Sequence, residues 1–189
     1  MGKLVVSEFL TLDGVMEDPG GAEGFERGGW AFRFERGEEG DKFKLDETLD
    51  AEALLLGRKT YEGFAAVWPT VEDEAGFADK MNSMPKYVVS STLDHADWNN
   101  STVITGEVAD EVARLKSETE GDLLVAGSAQ LVQALVEHEL VDELRLMVYP
   151  VVLGSGKRLF SDNAAQKAFE LVDSRPAGEV VILTFRRRN

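Results

Sequence analysis

One local pattern occurs twice in this chain, and it restricts the fold more than anything else. In residues 121–140, Leu123, Leu124, Val125 and Ala126 form an apolar run of buried-strand type, Gly127-Ser128 breaks it, and Leu131, Val132, Leu135, Val136 and Leu140 recur at helical spacing. In residues 53–64, Ala53, Leu54, Leu55 and Leu56 run into Gly57, and Arg58, Lys59, Thr60 and Tyr61 open the next helix. Both read as strand, tight turn, helix. Such a turn puts the free N–H groups of the helix's first turn at the carboxyl end of the strand, where a phosphate can be held. Most such turns hold nothing, so the flanking residues have to decide.

At the second unit they leave a ligand and plain surface charge evenly balanced. Arg58 and Lys59 occupy the first helical turn, where the macrodipole prefers anions, so a bare helix gains nothing from them. A bound polyphosphate would be stabilised by both cations as charge-assisted donors. The other reading is plain solvated surface charge.

The remaining chain fills in an α/β layout. Residues 3–10 read as a first strand ending at the Asp13-Gly14 turn. Residues 24–40 carry Phe25, Trp30, Phe32 and Phe34 without a clean period, an aromatic-rich loop that either walls a planar ligand or pins itself to the core. Phe43, Leu45 and Leu49 mark a helix, and residues 73–84 a short acidic one. Residues 86–92 are a β-rich run closing in Ser90, Ser91 and Thr92; Val103-Ile104 is a brief strand, and residues 107–118 an amphipathic helix. This alternation predicts a largely parallel sheet with crossover helices. After it, residues 142–153, 168–173 and 179–187 read as consecutive strands, the last two joined across Pro176, Ala177 and Gly178, so the sheet should be mixed with an antiparallel C-terminal edge.

Composition removes alternatives. The 189 residues suit one domain spanning 1–189, with 43% hydrophobic and 29% charged residues. No run approaches the ~18 apolar residues of a membrane span, and Glu8 interrupts any signal-peptide core near the N-terminus. A cytoplasmic protein without a membrane partner is expected. The absence of cysteine excludes disulfides, thiolate nucleophiles and cysteine metal sites. With 35 acidic and 20 basic residues, the net charge of −15 makes nucleic acid a poor partner. Arg186, Arg187 and Arg188 read as the solvated end of a last strand.

Several motifs fail on inspection. Gly154-Ser155-Gly156-Lys157 lacks the first glycine and the final Ser or Thr of a P-loop, leaving a glycine turn that presents Lys157 and Arg158. His95 and His138 have no second ligand at metal spacing, so no metal is expected. Ala126-Gly127-Ser128-Ala129-Gln130 lacks the second glycine of a nucleophile elbow.

Taken together and in order, Leu10-Thr11-Leu12-Asp13-Gly14, Leu56-Gly57-Arg58-Lys59-Thr60-Tyr61, Tyr87-Val88-Val89-Ser90-Ser91, Leu124-Val125-Ala126-Gly127-Ser128-Ala129 and the stretch from Asp142-Glu143-Leu144 to Gly154-Ser155-Gly156 make the chain resemble the dihydrofolate reductase-like superfamily, specifically the reductase domain of the riboflavin-biosynthesis deaminase/reductase in stand-alone form. The resemblance covers nearly the whole chain. It implies a three-layer αβα fold and an NADPH-dependent reductase transferring a hydride to a C=N or C=O carbon of a small heterocyclic or carbonyl substrate. It also implies that Gly57, Arg58, Lys59 and Thr60 meet the NADPH phosphates, with Ser90 and Ser91 near the 2′-phosphate. Ala126, Gly127, Ser128, Ala129 and Gln130 take the pyrophosphate and ribose side. Asp13, Gly14 and Lys157 face nicotinamide and substrate, with Asp13 or Glu17 as proton donors beside bound water. Asp13 reads equally as the turn residue before Gly14. One departure stands out: the family carries two adjacent glycines after the central strand, often across a cis peptide, where this chain has Gly127-Ser128. A non-proline cis bond costs ~3–4 kcal/mol, and a side chain restricts it further.

Two other classes compete: a non-catalytic NADP(H)- or metabolite-binding protein on the same scaffold, and a structural homodimer whose strand near residues 142–150 pairs with its twin.

Overall fold

The apolar runs pair side by side and the helix-spaced segments cover them. In the computed structural model, which describes residues 1–188, the elements are β1 (Leu4–Thr11), α1 (Gly37–Asp50), β2 (Ala51–Gly57), α2 (Arg58–Val67), α3 (Phe77–Ser83), β3 (Lys86–Val89), β4 (Ser101–Ile104), α4 (Val108–Glu118), β5 (Asp122–Val125), α5 (Ala129–Glu137), β6 (Glu143–Tyr149), β7 (Phe169–Ala177) and β8 (Val180–Arg187). They form one eight-stranded sheet of order β4-β3-β2-β5-β1-β6-β8-β7. The strands β1 to β6 are parallel to their neighbours, whereas β8 runs antiparallel to β6, and β7 to β8. The mixed sheet read from the sequence is therefore present. Among the described residues, no helix is long and apolar enough to cross a membrane.

Side chains alternate across the sheet with the strand period of two. Leu4, Val6 and Leu10 of β1 pack with Leu55, Leu123, Val125 and Leu144 beneath α4 and α5. Val5 joins Leu54, Leu56 and Leu124 on the opposite face, against Tyr61 of α2 and Met81 of α3. Helices on both faces make three layers. A third cluster holds Trp30, Met147, Tyr149 and Ile182 with Phe9, Phe25, Phe34 and Phe43. Trp30 is fully buried, edge-on to Tyr149 at 5.3 Å between ring centroids, and its indole N–H donates to the Glu17 carbonyl at 2.9 Å. Of the two readings of the aromatic loop, anchoring holds for Phe25, Trp30 and Phe34, while Phe32 is 83% exposed.

The helix read from Phe43, Leu45 and Leu49 is α1, in which Glu47 and Thr48 are buried and Leu49 is 40% exposed. Two expectations need correction. Strand β6 lies between β1 and β8, so it offers no edge to a twin; the free edges are β4 and β7. Pro176 belongs to β7, paired with Val181, rather than to the link. An edge strand tolerates proline because one side of its ladder lacks a neighbour.

Strand β5 sits between β2 and β1, and the helices that follow β2 and β5 leave onto opposite faces, α2 packing in one cluster and α5 in the other. A crevice opens outside the carboxyl ends of strands arranged in this way.

Candidate functional site

The two strand–turn–helix units meet at that crevice. A Cβ placed on Gly57 would lie 2.5 Å from Cβ and Oγ of Ser128, and one on Gly127 would lie 2.5 Å from Thr60 Oγ1. Each turn therefore needs a glycine because the other turn's side chain rests on it. Gly57, Thr60, Gly127 and Ser128 form one contact surface across β2 and β5.

The two helix starts differ. Among the described residues no side chain caps α2, leaving its first N–H groups open, and the exposed Arg58 reaches Glu62, at 3.0 and 3.3 Å from Nη1. Lys59 is exposed and makes no ion pair among the described residues. Helix α5 is capped by Ser128, whose hydroxyl accepts from Leu131 N at 3.4 Å; Ala129 is buried and Gln130 exposed. The Gly127–Ser128 peptide is trans, with φ of 77° at Gly127 and 68° at Ser128. Glycine adopts that conformation freely, whereas a serine there is strained.

Ser90 follows the residue that registers with Gly57, which places it one strand away from Arg58. Ser90 is buried; its hydroxyl accepts from Thr92 N at 3.2 Å and Leu93 N at 3.0 Å, closing the turn, and lies 3.5 Å from the Thr92 hydroxyl. Ser91 is exposed.

At the other end of the crevice, the loop after β1 is stitched to the glycine turn. Asp13 Oδ2 accepts from Gly154 N at 2.7 Å, and Oδ1 accepts from the Thr11 hydroxyl at 2.6 Å and Leu153 N at 3.2 Å. Burial opposes ionisation of Asp13, but the Thr11 hydroxyl and the two N–H groups together outweigh it and hold the carboxyl below its ordinary range. Met16 N donates to the Lys157 carbonyl at 2.9 Å, Lys157 N donates to Glu17 Oε2 at 2.9 Å, and the Lys157 ammonium lies 3.5 Å from Glu17 Oε1. Gly14, at φ 77°, has open space where a side chain would stand.

Sequence reasoning gave Glu8 no role in the site. Its Oε1 accepts the Gly127 N–H at 2.7 Å, and burial pushes its pKa up to about 8 against the opposing pull of that N–H and of Lys44. The available signal was a charged residue inside an otherwise apolar strand, used only to argue against a leader segment. One position earlier, Ser7 opens a second buried polar group: its hydroxyl donates to Glu47 Oε1 at 2.7 Å and accepts from Lys44 at 3.0 Å, and Arg145 approaches Glu47 at 3.9 Å. That network seats α1 on the sheet. Two concavities of ≈ 440 and ≈ 340 Å³ lie elsewhere, one beside Tyr61 and Trp98, the other between α5 and the strand end at Phe169 and Arg187.

Sheet order and paired turns define a dihydrofolate reductase-like α/β protein. A putative riboflavin biosynthesis protein from Shewanella sp. PV-4 matches with a TM-score of 0.78 at 19% identity, over 99% of both chains. Dihydrofolate reductase from Enterococcus faecalis, solved with NADP(H), matches at 0.59 and 14% identity, over 99% of this chain and 97% of that one. Likeness at these identities establishes the fold. The chain belongs to the RibD C-terminal domain family, whose profile matches residues 2–183. The uncharacterized protein YyaP of Bacillus subtilis (strain 168) is 29% identical over 183 residues, 95% of this chain and 92% of that protein.

Proposed function

We propose that the protein is an NADPH-dependent reductase that delivers a hydride to a C=N or C=O carbon of a small heterocyclic or carbonyl substrate in the cytoplasm. The observation that carries this reading is the interlock of Gly57 and Thr60 with Gly127 and Ser128 at the carboxyl ends of adjacent strands, in a chain of the RibD C-terminal domain family. The residues present fit a dinucleotide: an uncapped helix start with two exposed cations suits its phosphates.

Arg58, Lys59 and the first N–H groups of α2 would hold phosphate, with Ser90 and Ser91 beside the 2′-phosphate. Gly127, Ser128, Ala129 and Gln130 would take the pyrophosphate and ribose. The dihydronicotinamide supplies the hydride; the protein supplies position and the accompanying proton. Asp13 is poorly suited to donate that proton, since its carboxylate is ionised and engaged with three partners. It serves better as the clamp that fixes the loop to the residue 153–157 turn.

NADPH fluorescence titration of the purified chain tests the cofactor assignment; absence of binding at tens of micromolar would sink it. A second reading, non-catalytic binding of NADP(H), is favoured by the internal pairing of Asp13 and Lys157 and predicts binding without oxidation across a panel of imines and carbonyl compounds. For the expected homodimer, we propose the edge strand β7, which exposes Leu171 and Val172, as the pairing surface; a monomer in sedimentation would remove it.

A further inference from the structure

Glu8 is the single charged residue of β1, and it stands where that strand parts from β5. The two strands pair through Val6 and Val125; two residues further along each, the ladder is replaced by the Glu8 carboxylate accepting the Gly127 N–H at 2.7 Å. Glu8 is only 7% exposed. Only one carboxyl oxygen is engaged: Oε1 takes the Gly127 N–H, and the second has no hydrogen-bond partner among the described residues, at the point where the carboxyl ends of β1 and β5 diverge.

Few charges act on it. Lys44 and Glu47 of α1 do so with opposite sign. The β5–α5 turn, Gly127 to Gln130, carries no titratable group, and neither does Leu146, its partner on β6. Asp13 and Glu17, in the loop that follows, are tied to the residue 153–157 turn. Desolvation therefore dominates, and at neutral pH the carboxyl keeps its proton, with a pKa of about 8. A buried acid without a salt-bridge partner destabilises a fold that an apolar side chain would serve better, and such groups concentrate at functional sites.

We infer that Glu8 is the acid of the reductase site, holding a proton while the crevice faces a neutral dihydronicotinamide and giving it to the substrate as that ring becomes cationic. This rests on the NADPH reading above. The substrate carbon of C=N or C=O receives the hydride with its electron pair, and its nitrogen or oxygen receives the proton from the Glu8 O–H. The substrate is reduced by two electrons, the nicotinamide is oxidised by two, and Glu8 is left as a carboxylate beside a positive charge, to be reprotonated from water. In a desolvated crevice the opposite charges stabilise each other, so hydride loss and ionisation of Glu8 favour one another.

Linkage makes this measurable without the substrate. Ionised Glu8 favours the oxidised nucleotide, so the ratio of NADP⁺ to NADPH affinity rises with pH, by at most about tenfold per pH unit, between the Glu8 pKa in the NADP⁺ complex and its higher value in the NADPH complex, and is level outside that window. The 2′-phosphate is common to both nucleotides, so its own titration cancels in the ratio. The experiment is calorimetric titration of the full chain with NADP⁺ and with NADPH between about pH 6 and about pH 9, on wild type and Glu8→Gln. It is paired with carbon NMR of glutamate carboxyls in the unliganded protein. The expected result is a rising ratio in wild type, a flat one in Glu8→Gln, and one carboxyl, missing from the variant, that titrates far above the others. A flat wild-type ratio, an equal slope in Glu8→Gln, or a Glu8 carboxyl titrating in the ordinary range overturns the acid role, and the wild-type measurements decide even where the variant does not fold. Failure of both nucleotides to bind a folded chain marks the NADPH reading itself as wrong, and the acid role falls with it. Binding of both without a pH-dependent ratio overturns the acid role alone.

Discussion

The β2–α2 and β5–α5 turns are built from the same parts and do different work. The first is open: Gly57 has φ −78°, no side chain caps the helix, and two cations stand exposed in its first turn. The second is closed: Ser128 caps its own helix, no charge lies in the turn, and the Gly127 N–H is already taken by Glu8. An open helix start with exposed cations suits an anion from outside, as proposed above, whereas a closed one offers shape and a fixed backbone. Substitutions at the two turns should therefore fail in different ways.

The largest effect at a single pH is expected from Gly127→Ala. The new Cβ would stand 2.5 Å from Thr60 Oγ1 and 2.8 Å from its Cγ2, at a φ of 77° that alanine resists. The conformational term alone costs roughly 1–2 kcal/mol, and overpacking adds roughly 1–3 kcal/mol. Urea unfolding should show the sum, and a loss below about 1 kcal/mol would mean that the turns do not interlock as described.

Glu8 gives the next effect, through pH. Folding raises its pKa from the ordinary 4.5 to about 8, so between those values the native chain binds more protons than the unfolded one. Its contribution to stability thus falls as pH rises across that window and is level outside it. Glu8→Gln removes this slope, and the variant should gain on wild type by an amount on the order of 5 kcal/mol between about pH 4.5 and about pH 8. Chemical denaturation at several pH values checks it; parallel profiles for the two proteins would show that Glu8 titrates normally.

At the open turn the effect should fall on binding alone. Arg58→Ala and Lys59→Ala remove exposed cations, so thermal stability should stay within about 0.5 kcal/mol. NADPH affinity should drop roughly tenfold for each, more steeply at low salt, as expected of charge-assisted contacts. Unchanged affinity in both variants would remove phosphate from that turn.

The same contrast explains what could be read from the sequence. Apolar runs followed by helix-spaced segments exposed both units, because buried strands and amphipathic helices leave local periods. The Arg58-Lys59 pair stood out because it opposes the helix dipole. The insertion of β5 between β1 and β2 leaves no local trace, since sheet order is decided by contacts distant in sequence. The helix marked by Phe43, Leu45 and Leu49 is present as α1, but its buried polar contact, in which Ser7, Lys44 and Arg145 gather around Glu47, left no mark in the apolar pattern. Glu8 went unused for a related reason: its partner is a backbone N–H 119 residues away, and no spacing rule points to it.

Ser128 gives the smallest effect and tests the interlock most finely. Its φ of 68° and ψ of 93° lie outside the ordinary left-handed region, and its side chain occupies the space over Gly57 that a Cβ there would need. Ser128→Gly removes a backbone cost of about 1 kcal/mol and gives up a cap bond that is already long at 3.4 Å, a few tenths of a kcal/mol against glycine. Part of the gain is lost to the added freedom of the unfolded chain. The net should be a stabilisation of about 0.5 kcal/mol, visible as a small rise in Tm. Its use lies in combination. Gly57→Ala alone should destabilise by roughly 1–3 kcal/mol through overpacking against Ser128, since its own φ of −78° suits alanine. In the Ser128→Gly background the Cβ has room, and most of that cost should vanish, a coupling on the order of 1–2 kcal/mol between residues 71 positions apart in the sequence. Additive effects would mean that the two turns do not touch, and the open and closed helix starts would then have to be treated as separate sites.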